Sequence, residues 1–169
     1  MPRALWSRPA DAVLILFFVI NLGFITYVVH LEQLVIADPT HFTYPLWPPP
    51  ALVDVIHRYG HAADPLLLAR PPFWQATIWM DNLLFGPYYV AAIIAFVRGA
   101  AWIRVPSLVY AGLLLSNVNC ILFEELLGAH RTPNPPLVLT LNAPWILVPL
   151  YLTWRMARPA PFASRSAAA

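Results

Sequence analysis

Lysine is absent from this chain, and all ten basic residues are arginine. Charge of either sign is scarce, at 11% of 169 residues against about 25% in an ordinary soluble domain. The arginines do not gather into a stripe, which excludes a nucleic-acid-binding face, and a formal net charge of +2 adds no case for one. Cysteine occurs once, at Cys120, so no internal disulfide can form and the redox compartment is not legible from it. No Asn-x-Ser/Thr triplet occurs, and no internal repeat. Nothing in the spacing of polar residues suggests a metal or a cofactor. What the chain has is apolar: 60% hydrophobic residues, mean hydropathy +0.64, with nineteen prolines and seven tryptophans. A chain of this length cannot hide so much apolar surface in its own core, so it reads as an integral membrane protein. Proline is tolerated in membrane helices, and tryptophan favours the interface.

The hydropathy pattern predicts an all-α fold, a bundle of four transmembrane helices with a Pro-rich first lumenal loop. The first span runs from Ala12 to Val29 and is too long for a signal-peptide core. The second covers Phe73 to Val97, long enough to cross about 30 Å of hydrocarbon. The third runs from about Val105 to Leu127, and the fourth from about Leu137 to Met156. In the long connection 31–72, Pro48-Pro49-Pro50 is expected to stop any helix, and Ala51 to Tyr59 to form a short amphipathic helix lying in the interface or lidding the bundle. Residues 1–10 are a short head, 11–156 the membrane domain, and 157–169 an Ala/Pro/Ser-rich tail expected to be disordered. Arginine sets the orientation. Arg3, Arg8, Arg98, Arg104, Arg155, Arg158 and Arg165 fall on one side, against Arg58, Arg70 and Arg131 on the other. The positive-inside rule then places both termini in the cytoplasm.

That topology converts sequence positions into depths. Asp81 lies eight residues below Phe73, about 12 Å at 1.5 Å per residue. A carboxylate in a membrane span costs a few kcal/mol and is by default a functional-site hypothesis. His30 ends the first span, Glu124 and Glu125 end the third above Asn117 and Asn119, and Asn142 enters the fourth. Helical spacing groups Gly23, Thr26 and His30, then Trp74, Thr77 and Asp81, then Asn117, Cys120 and Glu124. Small or polar faces avoid lipid, so these are expected to line a lumenal-half pocket for a small molecule. The candidate ligand-binding residues are His30, Asp81, Thr77, Asn117, Glu124 and Asn142. Each group also has a plainer role. Asn82, Asn117, Asn119 and Asn142 suit interhelical hydrogen bonds, Glu124 and Glu125 a helix end among headgroups, and His30 an interface position.

Several fragments in order carry a resemblance. Tyr44-Pro45, Asp64-Pro65-Leu66-Leu67, Pro71-Pro72 with Trp74, Asp81 with Pro87, Trp102-Ile103-Arg104 with Pro106, Phe123-Glu124-Glu125, and Ala143-Pro144 with Pro149 are similar to the EXPERA-domain proteins. They are closest in pattern to the sigma-2 receptor branch, related to emopamil-binding protein, over about residues 11–156. The resemblance implies a four-helix bundle of the endoplasmic reticulum, often a homodimer, with a pocket opening sideways to membrane lipids. That pocket takes sterols or lipophilic amines. In the branch, acids from helices one and two share it; the second maps to Asp81, whereas the first falls on His30. An acid pair is anionic and attracts cations, while a His–Asp pair can be neutral overall and suits a sterol hydroxyl. The tail, without lysine, lacks the branch's dilysine-like retrieval signal.

Two functions follow. One is a non-enzymatic binder of sterols or other lipophilic molecules. The other is a sterol isomerase, which must protonate one alkene carbon and deprotonate another in a dry pocket. His30, Asp81 and Glu124 would be its catalytic groups. The isomerase branch carries a histidine four residues before the helix-two acid, where this chain has Thr77, and this weighs toward the binder.

Overall fold

A computed structural model describes residues 5–162. Among these residues the chain forms no strand and, after a short turn at Leu5–Ser7, six helices. They are α1 (Pro9–Val35), α2 (Pro50–Ala62), α3 (Leu66–Ala69), α4 (Pro72–Arg98), α5 (Ala101–Leu127) and α6 (Pro135–Met156). The long apolar helices α1, α4, α5 and α6 are the four expected spans, each reaching a little beyond its expected ends. Proline explains several of their starts. Pro9, Pro50, Pro72 and Pro135 occupy first-turn positions, where the missing N–H is not needed and φ is already helical. The triple proline thus starts α2 rather than only blocking a helix.

Helix α1 packs on α4, and α5 on α6. The centre is aromatic. Phe18 is fully buried, with the rings of Tyr88, Tyr89, Phe96 and Tyr110 centred 5.6–6.3 Å away. Tyr88 and Tyr110 stack at 4.1 Å, and the Tyr88 hydroxyl donates to Ser107 Oγ at 2.9 Å. Outside this core, Val13, Leu16, Leu83, Leu84, Val105, Val109 and Leu147 are exposed on the spans. An apolar belt of this kind is stable only against lipid.

Two stretches of helix are wider than an α-helix, with backbone bonds reaching one residue further: Asn21–His30 in α1 and Asp81–Phe85 in α4. In α4 the cause is Pro87, which has no N–H for the carbonyl of Leu83. The two widened stretches meet where Thr26 Oγ1 donates to Asp81 Oδ2 at 2.6 Å. The widening also breaks the expected register of α1. Thr26 is buried, but Gly23 is exposed and is not part of an inward face.

The end of the bundle that carries both termini is closed by arginine. Arg8 pairs with Asp11 at 2.7 Å and donates to the carbonyls of Phe96 and Val97, both at 3.1 Å, just before Gly99 ends α4 at φ 64°. Arg155 pairs with the other oxygen of Asp11. Arg104 donates to the Met156 carbonyl at the end of α6, at 2.7 Å. These guanidiniums satisfy carbonyls that the last helical turn leaves open. Phe162 is buried beneath Arg8 and Arg155, so the described part of the tail, 157–162, folds back on the bundle instead of being disordered. The rest of the expected tail, 163–169, and the first four residues of the head lie outside the described residues.

At the opposite end, here called the loop end, α2 and α3 form a lid. Glu32 is fully buried, with Arg70 Nη2 2.9 and 3.1 Å from its two oxygens and His57 Nε2 2.8 Å away. Arg70 is left-handed (φ 47°) and also donates to the carbonyls of Ile36 and Leu67. Gly60 lets the lid helices touch, because a Cβ there would stand 2.8 Å from Leu68 Cγ.

Candidate functional site

Between the lid and the aromatic core, the loop-end halves of the four spans enclose a cavity of about 410 Å³. This lies within the range of small-molecule sites. Its walls are apolar: Phe24, Val29, Ile56, Leu67, Leu114, Val118 and Ile121. Its polar groups form two clusters.

The first cluster is centred on Asp81, 4% exposed at the floor. Oδ2 accepts from Thr26, and Oδ1 accepts from the Tyr89 hydroxyl at 3.4 Å. Tyr110 in turn donates to Tyr89 at 3.4 Å, so the core tyrosines back the carboxylate. His30 Nδ1 lies 3.0 Å from Oδ2, off the line of a directed hydrogen bond. A carboxylate with three polar neighbours in an otherwise apolar wall is satisfied without leaving its helix. The His30 ring sets its edge against Trp74, 6.3 Å between centroids.

The second cluster is beneath the lid. Asp64, at the loop before α3, and Glu125, near the end of α5, are 6% and 1% exposed and within hydrogen-bonding reach of each other. Burial holds the Asp64 carboxyl above the usual carboxylate range. Burial and the two neighbouring carboxyls push the Tyr59 hydroxyl to about 12.

Of the residues expected to line a pocket, His30, Asp81, Asn117 and Asn142 do so. Thr77 is buried but does not line the cavity, and its hydroxyl donates to the Trp74 carbonyl of its own helix at 2.7 Å. Glu124 and Glu125 exchange their expected places. Glu125 faces the cavity, whereas Glu124 faces a separate outer groove beside Asn119 and Cys120, 2.6 Å from His130 Nδ1. The reason is phase. The inward face of α5 is the stripe Leu114, Val118, Ile121 and Glu125, with Asn117 at its edge. Following the polar residues alone selects a face rotated from that stripe.

The interhelical amide bond is made by neither Asn82 nor Asn142, which bond carbonyls of their own helices at 2.9 and 3.0 Å. Amide bonds between helices are made instead by Asn21, whose Oδ1 accepts from the Trp145 indole at 2.8 Å, and by Gln33, whose Oε1 accepts from the Trp74 indole. Asp64, Tyr59 and Trp145 are cavity residues that the sequence reading missed. The signal for Asp64 is its place in the Asp-Pro-Leu-Leu run of the family pattern. Among the described residues, no group of three or more His, Cys, Asp or Glu is arranged to hold a metal.

Four apolar spans around a lidded cavity define a class of membrane protein, and the family pattern agrees. The chain belongs to the EXPERA family (EXPanded EBP superfamily), whose profile matches residues 51–156. That segment begins at the lid and leaves α1, with His30, outside it. Within the family the chain falls in the sigma-2 receptor branch. It is 31% identical to "Sigma intracellular receptor 2" of Xenopus tropicalis over 119 residues, 64% of this chain and 70% of that protein. It is likewise 31% identical to the proteins of that name from Homo sapiens and Macaca fascicularis over 109 residues, 56% of this chain and 61% of each of theirs.

Proposed function

We propose that this chain binds sterols or other lipophilic small molecules in the cavity beneath its lid, and serves in sterol or lipid homeostasis. The observation that carries the reading is the cavity of about 410 Å³ inside a membrane bundle, with mostly apolar walls and a buried polar cluster at its floor. Such a site desolvates a hydrophobic body and orients it through one hydroxyl. The protein would reside in the endoplasmic reticulum membrane with both termini cytoplasmic and the lid on the lumenal side, as its arginines indicate. The test is photolabelling by a photoactivatable cholesterol analogue in membranes. Asp81→Asn replaces the carboxyl that accepts from Thr26 and faces His30 with an amide, and labelling should fall at least about tenfold, the loss expected of a buried hydrogen-bonded contact worth over 1.4 kcal/mol. Unchanged labelling would sink the assignment.

One observation favours a second reading. An imidazole within 3.0 Å of a buried carboxylate, in a dry cavity, is the equipment of proton transfer, and sterol double-bond isomerisation is the corresponding reaction. His30 would stand in for the histidine that Thr77 replaces. Expression in an isomerase-deficient yeast strain decides it: appearance of the shifted sterol supports the isomerase, and accumulation of the unshifted one rules it out.

A further inference from the structure

Charge is divided unequally between the two halves of the bundle. Among the described residues, the loop-end half holds seven acids against three arginines. The end that carries the termini holds five arginines, Arg8, Arg98, Arg104, Arg155 and Arg158, against one acid, Asp11. That acid is fully buried and already paired with Arg8 and Arg155. Arg98, Arg104 and Arg158 form no ion pair among the described residues. This face therefore carries positive charge that the described chain does not balance.

Two of these three arginines are held in place. Arg104, near the start of α5, donates from Nε to the Met156 carbonyl at 2.7 Å and from Nη2 to the Ala157 carbonyl at 3.3 Å. This brings it beside Arg158, the next residue along the chain. One side of its guanidinium is used to finish α6, and Nη1 has no acceptor among the described residues. Arg158 is exposed and lays its guanidinium over the Trp154 ring, 3.9 Å from the centroid. Stacking uses the face of the ion and leaves the N–H groups at its edge for acceptors in its plane. Such a pre-set fork suits the oxygens of a phosphate.

The surroundings select the source of that phosphate. Trp102 near the start of α5 and Trp154 near the end of α6 are exposed, and such tryptophans mark the headgroup level of a membrane. Further along the same two helices, Val105, Val109 and Leu150 are exposed, an apolar wall for acyl chains. A lipid can lay its tails on that wall and bring its phosphate to the arginines at once, which a free phosphate cannot. The charge selects the headgroup. A choline or ethanolamine ammonium would meet no available acid here, because Asp11 is enclosed. We propose that Arg104 and Arg158, with Trp154 beneath the second, form a seat for the phosphate of an anionic phospholipid. Arg98, exposed at the end of α4, adds to the field of the same face. The seat lies outside the cavity and is independent of what the cavity binds.

The test places the full chain in nanodiscs of equal phosphatidylglycerol and phosphatidylcholine. Native mass spectrometry of the released protein reads the ratio of the two lipids in the complex that retains one lipid. An arginine near an anionic headgroup is worth roughly fivefold in affinity, so phosphatidylglycerol should be retained at least about fivefold over phosphatidylcholine. Arg104→Gln and Arg158→Gln should each lower that preference at least about twofold. Trp154→Leu keeps every charge but releases Arg158 from its ring, and should lower the preference by a similar factor. Arg131→Gln, at the loop end, should leave it unchanged. No preference in the unaltered protein overturns the proposal. A preference that survives both arginine changes, or survives Trp154→Leu, also overturns it, since it then belongs to diffuse charge and not to a built seat. An equal fall in Arg131→Gln overturns it for the same reason. Excess inorganic phosphate, added to the nanodiscs at constant ionic strength, should not displace the lipid; displacement gives the seat to a free anion and overturns the lipid assignment. If Arg104→Gln disturbs the end of α6, Arg158→Gln decides, because that side chain is exposed.

Discussion

Buried acids stand at both ends of this bundle, in opposite electrostatic company. At the end that carries the termini, Asp11 is fully buried between Arg8 and Arg155. The same guanidiniums cover Phe162, and Arg8 closes the last turn of α4. The aromatic core fills the space behind them. At the loop end, Glu32 is likewise matched, by Arg70 and His57. Elsewhere under the lid, Asp64 and Glu125 lie within hydrogen-bonding reach of each other, Asp64 also accepting the Leu66 and Leu67 N–H groups, and among the described residues neither forms an ion pair. A buried acid with its own arginine fastens helices together. A buried acid without one depends on a proton or on hydrogen-bond donors such as backbone N–H groups. The contrast separates carboxylates that fasten helices from carboxylates that line the cavity.

The comparison breaks most sharply at Asp11. Asp11→Ala strands two guanidiniums inside the bundle and should cost about 3–5 kcal/mol, the usual penalty for halving a buried ion pair. Thermal unfolding in detergent would read it, with cavity labelling retained at low temperature. Glu32→Gln should destabilise by a similar or slightly smaller amount, since the amide still accepts one bond from Arg70. Because the lid hangs on that pair, proteolysis between α2 and α3 should accelerate.

A third test follows from Asp64. Its carboxyl is raised from an ordinary 3.8 by burial. An acid raised on folding holds its proton longer in the folded state. Its contribution is therefore complete below the unfolded value and is lost as pH climbs through the folded one. Melting temperature should fall by a few degrees as pH rises from about 4 into the neutral range, and Asp64→Asn should flatten that slope. A slope that steepens in the variant would contradict the assignment. The smallest effect is expected at Glu124, whose partner His130 sits with it at the outer groove. Glu124→Gln should leave sterol labelling unchanged. If it abolishes labelling, the division between inner and outer carboxylates fails.

Much of the architecture can be read along the chain. Length and hydropathy place four spans, and the proline positions explain where helices begin. Asp81 stands out because lipid tolerates no bare carboxylate. The partners of that residue were less legible. His30 was reachable by topology, but Tyr89 lies on the same helix as Asp81 two turns on, and its aromatic character suggested only core. Glu32 and Arg70 fell in a connection that looked irregular, though they form the staple of the lid. Spacing arguments failed in α1 and α5 for separate reasons. In α1 the widened stretch Asn21–His30 shifts every side chain away from a regular 100° step, so Gly23 leaves the face that Thr26 keeps. In α5 the helix is regular, but its inward stripe is mostly apolar, and polarity was the wrong guide to its phase.

Composition therefore determines that the chain lives in a membrane, and periodicity that four helices cross it with one acid at depth. Both are local properties, set by what each residue costs in lipid. Which of two adjacent glutamates faces the cavity, and that Asp64 comes to meet it from 61 positions earlier in the chain, only tertiary structure decides. A helix fixes the angle between neighbours, but packing against the other helices fixes where that angle points.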